Sequence, residues 1–185
     1  GLSPGDFVVG KIARLFELKG HDDLFAIAPR LAKRIPNIRF LLVGDGVWRG
    51  RFERLAKEIG CGQNFIFTGL VPPSEIPSLV GVMDALVHLS RREGLPRALP
   101  QAMAAAKPVV AFDCDGAGEV CLDGKTGHLI EPGDLPKLEE RLAKLANDAP
   151  LRTALGQAGR KVVEEEFTVE QLVERQYELY KRLLA

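Results

Sequence analysis

The sequence predicts an α/β fold built on a doubly wound parallel sheet of about six strands, and three observations carry that prediction. Short apolar or β-branched runs alternate with longer helical patterns through residues 7–131. The runs are apolar almost throughout rather than at every second residue, as strands buried on both faces require. After Glu131 the chain changes to polar-rich helical segments with no strand among them.

The elements follow in order. FVVGKI (Phe7–Ile12) is the first strand, and ARLFELKG leads from it to a helix over His21–Arg34, opened by Gly20. IRFLLV (Ile38–Val43) is the second, with a glycine turn at Gly44 and Gly46 before a helix over Trp48–Ile59. FIFT (Phe65–Thr68) precedes a short helix at Ser74–Val80, and ALVHLS (Ala85–Ser90) precedes one at Leu95–Ala106. In that last helix Pro96 suits the first turn, where its missing N–H costs nothing, and the alanines suit close packing on the sheet. Pro100 removes a helical hydrogen bond, so the first turn is irregular or the regular helix starts later. Pro108 stops the helix and begins PVVAF (Pro108–Phe112), and GHLIE (Gly127–Glu131) is the sixth strand. Helices then follow near Leu135–Asn147, Pro150–Glu166 and Val169–Leu184. In the last of these, Val169, Leu172, Val173, Tyr177, Leu179, Tyr180, Leu183 and Leu184 cover more than one narrow face. That breadth predicts packing against a substantial surface, inside or outside this chain.

At 185 residues, with 46% apolar and 27% charged side chains, the composition is that of one globular unit able to bury a core without disulfides. The balance of 25 basic and 25 acidic residues removes the usual argument for a nucleic-acid or anionic-membrane partner. Cys61, Cys114 and Cys121 have no C-x-x-C spacing, which fits reduced thiols in a cytoplasmic protein. No apolar run approaches the roughly 18–20 residues that span a bilayer, and GLSPGDF lacks a signal-peptide layout.

In sheets of this kind a ligand binds beyond the carboxyl ends of the strands. That rule selects the loops Ala13–Gly20, Gly44–Gly46, Gly69–Ser74, Ser90–Leu95 and Asp113–Gly118. Arg14 and Lys19 lie five apart in the first of them, beside a helix start, an arrangement that suits a diphosphate. On spacing alone two solvated surface charges are the commoner reading, because lone Arg/Lys pairs are frequent. Glu93 and Gly94 end a strand, and free amides near Gly94 and Leu95 make a second candidate phosphate cradle. His88 reads as a core or rim histidine, Trp48 as packing, and Asp113 and Asp115 are not expected to hold a metal.

Five segments occur in an order that resembles the C-terminal, nucleotide-sugar-binding lobe of the group 1 glycosyltransferases, two-lobe enzymes of the GT-B fold. They are IARLFELKGHDDL, FLLVGDGVWRGRFERLAKEIG, FIFTGLVPPSEIPSLV, SRREGLPRALPQAMAAAKPVVAF and GAGEVCLDGKTGHLIEPGD. The resemblance implies a Rossmann-like lobe over the whole chain, with residues 1–6 as a linker remnant and residues 169–185 as a helix crossing onto an N-terminal acceptor-binding lobe. It implies retaining transfer of a sugar from a nucleotide diphosphate sugar to an acceptor hydroxyl, with no cofactor or metal required. This chain would be one lobe, inactive alone. A membrane-associated acceptor, and a peripheral place at the inner membrane face for the full-length protein, are compatible with it.

The resemblance assigns Arg14 and Lys19 to the donor diphosphate and Glu93 to the transferred sugar. Gly94, Leu95 and Pro96 match the amide-bearing loop near the phosphates, Leu70 the apolar residue beside the base, and Gly44 and Gly46 a turn lining the donor cleft. Glu119 matches a loosely defined acid near that cleft and reads equally as a helix N-terminal charge. Gln101 stands eight residues after Glu93, where the family's second glutamate meets the ribose. An amide keeps an acceptor and loses the charge, which costs on the order of 1 kcal/mol, or a few-fold to tenfold in affinity. A degenerate nucleotide-binding or regulatory module and a lobe of a nucleotide-sugar epimerase are the alternatives.

Overall fold

The apolar runs become six strands in a computed structural model that describes residues 1–184. They are β1 (Phe7–Ile12), β2 (Ile38–Val43), β3 (Phe65–Gly69), β4 (Ala85–His88), β5 (Val109–Phe112) and β6 (Gly127–Ile130). All pair in parallel, in the order β3-β2-β1-β4-β5-β6, so the winding reverses between β1 and β4. The helices are α1 (His21–Arg34), α2 (Arg49–Glu58), α3 (Ile76–Gly81), α4 (Ala98–Ala104), α5 (Ala117–Val120), α6 (Leu135–Asn147), α7 (Ala149–Glu166) and α8 (Val169–Leu184).

Alternate residues of each strand serve two cores, because successive side chains leave opposite faces of the sheet. Phe7, Val9, Phe40 and Leu42 pack with Leu24, Phe25 and Leu31 of α1, Phe52 of α2 and Leu138 and Leu142 of α6. Val8, Leu41 and Leu86 face Val80 of α3, Leu99 and Met103 of α4 and Val120 of α5. Asp134 and Asp148 cap α6 and α7 by accepting the Lys137 and Leu151 N–H groups at 3.1 and 2.9 Å.

Two segments settle what the sequence leaves open. The helix expected from Leu95 begins at Ala98, so Gly94, Leu95 and Pro96 form a loop before it. Gly116 holds this loop through its N–H bond to the Gly94 carbonyl at 3.2 Å. Pro100 then falls at the third helical residue, where the N–H has no partner within the helix in any case. The second is α8, none of whose residues is buried. Within the described residues its apolar stripe is uncovered, with Val169 71% and Leu183 72% exposed. No described helix is long and apolar enough to cross a membrane.

Candidate functional site

A cleft of about 540 Å³ opens at the carboxyl end of the sheet, where the winding reverses. The neighbouring strands β1 and β4 send their following loops in opposite directions there and leave a crevice between them. Ile12 at the end of β1 and Ala13, Arg14 and Lys19 of the loop after it line one side, and His88 and Glu93 the other. Val71, Pro73 and Ile76, after β3, form an apolar wall, and Arg97, Ala98 and Gln101 come from the start of α4.

The fold thus brings Arg14, Lys19, Glu93 and Gln101 to one cavity. Lys19 Nζ donates to Glu93 Oε2 in a half-buried ion pair. Ser90 Oγ lies 3.0 Å from the same oxygen and 3.2 Å from the carbonyls of Leu18 and Arg92, and its one proton serves one of these acceptors at a time. Burial pushes the Glu93 carboxyl up, but the bonds from Lys19 and Ser90 and the lysine charge outweigh it and hold the acid below the usual carboxylate range. The Arg14 guanidinium rests 5.9 Å from the Phe16 ring and has no carboxylate partner among the described residues, which leaves its fork available to an anion.

The other residues singled out by resemblance stand around this centre without lining it. A Cβ on Gly44 would lie 2.3 Å from the Ala13 carbonyl oxygen, and one on Gly46 2.4 Å from that of Leu15. The β2–α2 turn therefore supports the Arg14 loop from behind, and Leu15 N–H to Asp45 O and Trp48 N–H to Leu15 O, at 3.0 and 3.1 Å, sew the two together. Leu70 is 86% exposed, next to the cleft residue Val71. Gly94 and Leu95 are exposed and Pro96 is buried, beside the cleft residue Arg97. Glu119 sits in α5, outside the cleft lining.

Three further residues stand in or beside the cleft, one of them, His88, read from the sequence only as a core or rim histidine. His88 lines the cleft although only 6% of it is exposed, and its Nε2 is buried without a partner among the described residues. Burial, then the charge of Lys11, pushes its pKa down to about 4, so the ring is neutral near pH 7. Its place at the end of β4, at the winding reversal, was the signal that could have found it. Arg97 adds a third cation to the lining, and no motif marks it. Lys11 lies on β1, one residue before the cleft residue Ile12, and is 1% exposed. Burial drives its pKa down to about 7, with Asp23 and Glu93 raising it and Lys19 lowering it. It stands in the middle of an apolar run, where pattern alone reads only strand.

The family profile described as glycosyl transferases group 1 matches residues 1–162. The chain is 32% identical over 160 residues to a GDP-mannose-dependent α-(1-6)-phosphatidylinositol monomannoside mannosyltransferase of Mycolicibacterium smegmatis, a match covering 83% of this chain and 42% of that protein. It is 31% identical over 185 residues to the 2-deoxystreptamine glucosyltransferase of Streptomyces kanamyceticus, covering 97% of this chain and 46% of the other. HepE from Anabaena, solved in complex with UDP, superposes with a TM-score of 0.88 at 26% identity over 96% of this chain and 49% of its own. The chain thus spans less than half the length of each of these proteins.

Proposed function

The chain belongs to the group 1 glycosyl transferases, and we propose that it is the donor-binding lobe of a retaining, hexosyltransferase-type enzyme that moves a sugar from a nucleotide diphosphate sugar to an acceptor hydroxyl. One observation carries this reading: the basic pair Arg14 and Lys19, the acid Glu93 and the amide Gln101 line a single cleft at the winding reversal. The GDP-mannose and UDP named for the two relatives are both nucleotides of the class proposed.

The chemistry follows from where charge develops. As the bond between the anomeric carbon and the diphosphate oxygen breaks, negative charge grows on the leaving diphosphate. Arg14 and Lys19 supply positive potential already in place on that side, which lowers the barrier without reorganising solvent. We assign to them the neutralisation that a divalent metal would otherwise provide. Glu93, held by Lys19 and Ser90, orients sugar hydroxyls so that the reacting carbon faces the acceptor. Gln101 accepts from a ribose hydroxyl, and the neutral His88 ring offers one further polar atom to the ligand. The Gly94–Pro96 loop lies toward the phosphates and Leu70 toward the base.

The acceptor site belongs, on this reading, to a second lobe, and the apolar stripe of α8 is the surface that meets it. Titration calorimetry of the chain with UDP and GDP tests the donor reading. Saturable binding is expected, weakened roughly tenfold or more by Arg14→Ala, since a hydrogen bond to a charged group contributes about 1.5–3 kcal/mol. No binding of either nucleotide at millimolar concentration refutes it.

A further inference from the structure

The β5–α5 loop grips the backbone around Glu93 from outside the cleft. Cys114 Sγ lies 3.1 Å from the Arg91 carbonyl, Asp115 Oδ2 accepts the Glu93 N–H at 2.7 Å, and Gly116 N–H donates to the Gly94 carbonyl at 3.2 Å. Asp115 does so with φ at 49°, a left-handed backbone that few residues other than glycine tolerate and that aspartate accepts better than most. A Cβ on Gly116 would stand 2.4 Å from the Gly94 oxygen, so the approach admits no side chain there.

Planarity turns these contacts into directions. Every peptide among the described residues is trans, and across a trans unit the N–H and C=O point opposite ways. With the Glu93 N–H held by Asp115, the Arg92 carbonyl leaves on the other side, where Ser90 Oγ lies 3.2 Å away. With the Gly94 carbonyl held by Gly116, the Leu95 N–H is directed away from the β5–α5 loop. One loop thus sets the backbone of Glu93–Leu95, while Lys19 and Ser90 set the Glu93 side chain.

We propose that Asp115 is a positioning residue of the donor site: with Gly116 it holds the Glu93–Leu95 backbone in the orientation that presents the acid and the Leu95 amide to the ligand. The ligand role rests on the donor-site reading above. Neither residue lines the cleft, so both act through the segment they hold.

Two substitutions test the acceptor without imposing backbone strain. Asp115→Asn keeps an acceptor and tolerates positive φ, whereas Asp115→Gly relaxes the backbone and removes the acceptor. Amide proton shifts of the 15N-labelled chain and calorimetric UDP titration are the two readouts. Asp115→Gly is expected to move the Glu93 amide proton upfield and to weaken UDP binding by about fivefold to tenfold, and Asp115→Asn, whose acceptor is uncharged, to fall between that variant and the parent in both. Gly116→Ala, which forces the two loops apart without touching Asp115, is expected to perturb the same amides. An Asp115→Gly chain that binds UDP as well as the parent overturns the proposal, as does an Asn variant that loses as much as the Gly variant. If the parent chain binds no UDP, the donor-site reading fails and the ligand role with it. The Glu93 amide shift still decides the clamp: unmoved in Asp115→Gly, it overturns it.

Discussion

Replacing Lys11 with methionine should stabilise this protein, and the gain should shrink as pH rises. The ammonium lies in the sheet at 1% exposure with no ion-pair partner among the described residues, and burial brings its pKa from 10.5 to about 7. The unfolded chain therefore binds a proton between pH 7 and 10.5 that the folded chain does not, so stability rises with pH across that window. Below it both states are charged and the folded state carries the whole desolvation cost. At 1.36 kcal/mol per pKa unit this cost is about 4 kcal/mol near pH 7 and about 2 kcal/mol at pH 9. Methionine is unbranched, of similar reach and uncharged, so it fills the same space without that cost. Urea unfolding at pH 6, 7, 8 and 9 should show Lys11→Met more stable by these amounts, with a melting temperature higher by about 8–16 °C at pH 7. Burial also pushes the Cys121 thiol up to about 12, which lowers stability above pH 9 in both proteins and leaves their difference unchanged. A variant no more stable than the parent at pH 7, or a gap equal at pH 6 and pH 9, would show that the ammonium is solvated or paired in solution and refute the argument.

Two further substitutions probe the site. Gln101→Glu restores a charged acceptor on a helix whose backbone bond, Gln101 N–H to Arg97 O at 3.3 Å, it leaves intact. UDP affinity by calorimetry should rise by up to about tenfold, and an unchanged affinity places the ribose elsewhere. Gly46→Ala drives a Cβ to 2.4 Å from the Leu15 carbonyl oxygen and should cost about 1–3 kcal/mol in urea unfolding while weakening UDP binding through the displaced Arg14 loop. Parent-like stability in that variant would mean that the loop yields freely and does not set Arg14.

Much of the architecture is legible in the sequence. Phe7–Ile12 and Ile38–Val43 were read with the bounds they adopt, because a run buried on both faces leaves an unbroken apolar signature. The start of α4 is left open by the sequence, because Pro96 is as much at home in a loop as in a first turn and Pro100 allows a later start, and the contact between Gly94 and Gly116 accompanies the later one. Arg14, Lys19, Glu93 and Gln101 were found as members of ordered motifs. Spacing alone left the basic pair indistinguishable from surface charge, and the fold set them around one cleft.

Local pattern sufficed for the strands, the helices and the crevice at their carboxyl ends, because periodicity and punctuation are properties of neighbouring residues. Only tertiary structure decided that Lys11 is buried, that His88 faces the cleft and that Asp115 holds the Glu93 backbone. Each of these depends on which strands and loops lie side by side. The order β3-β2-β1-β4-β5-β6, which puts β1 next to β4 rather than next to β6, is settled by packing across the whole chain and written in no short stretch of it.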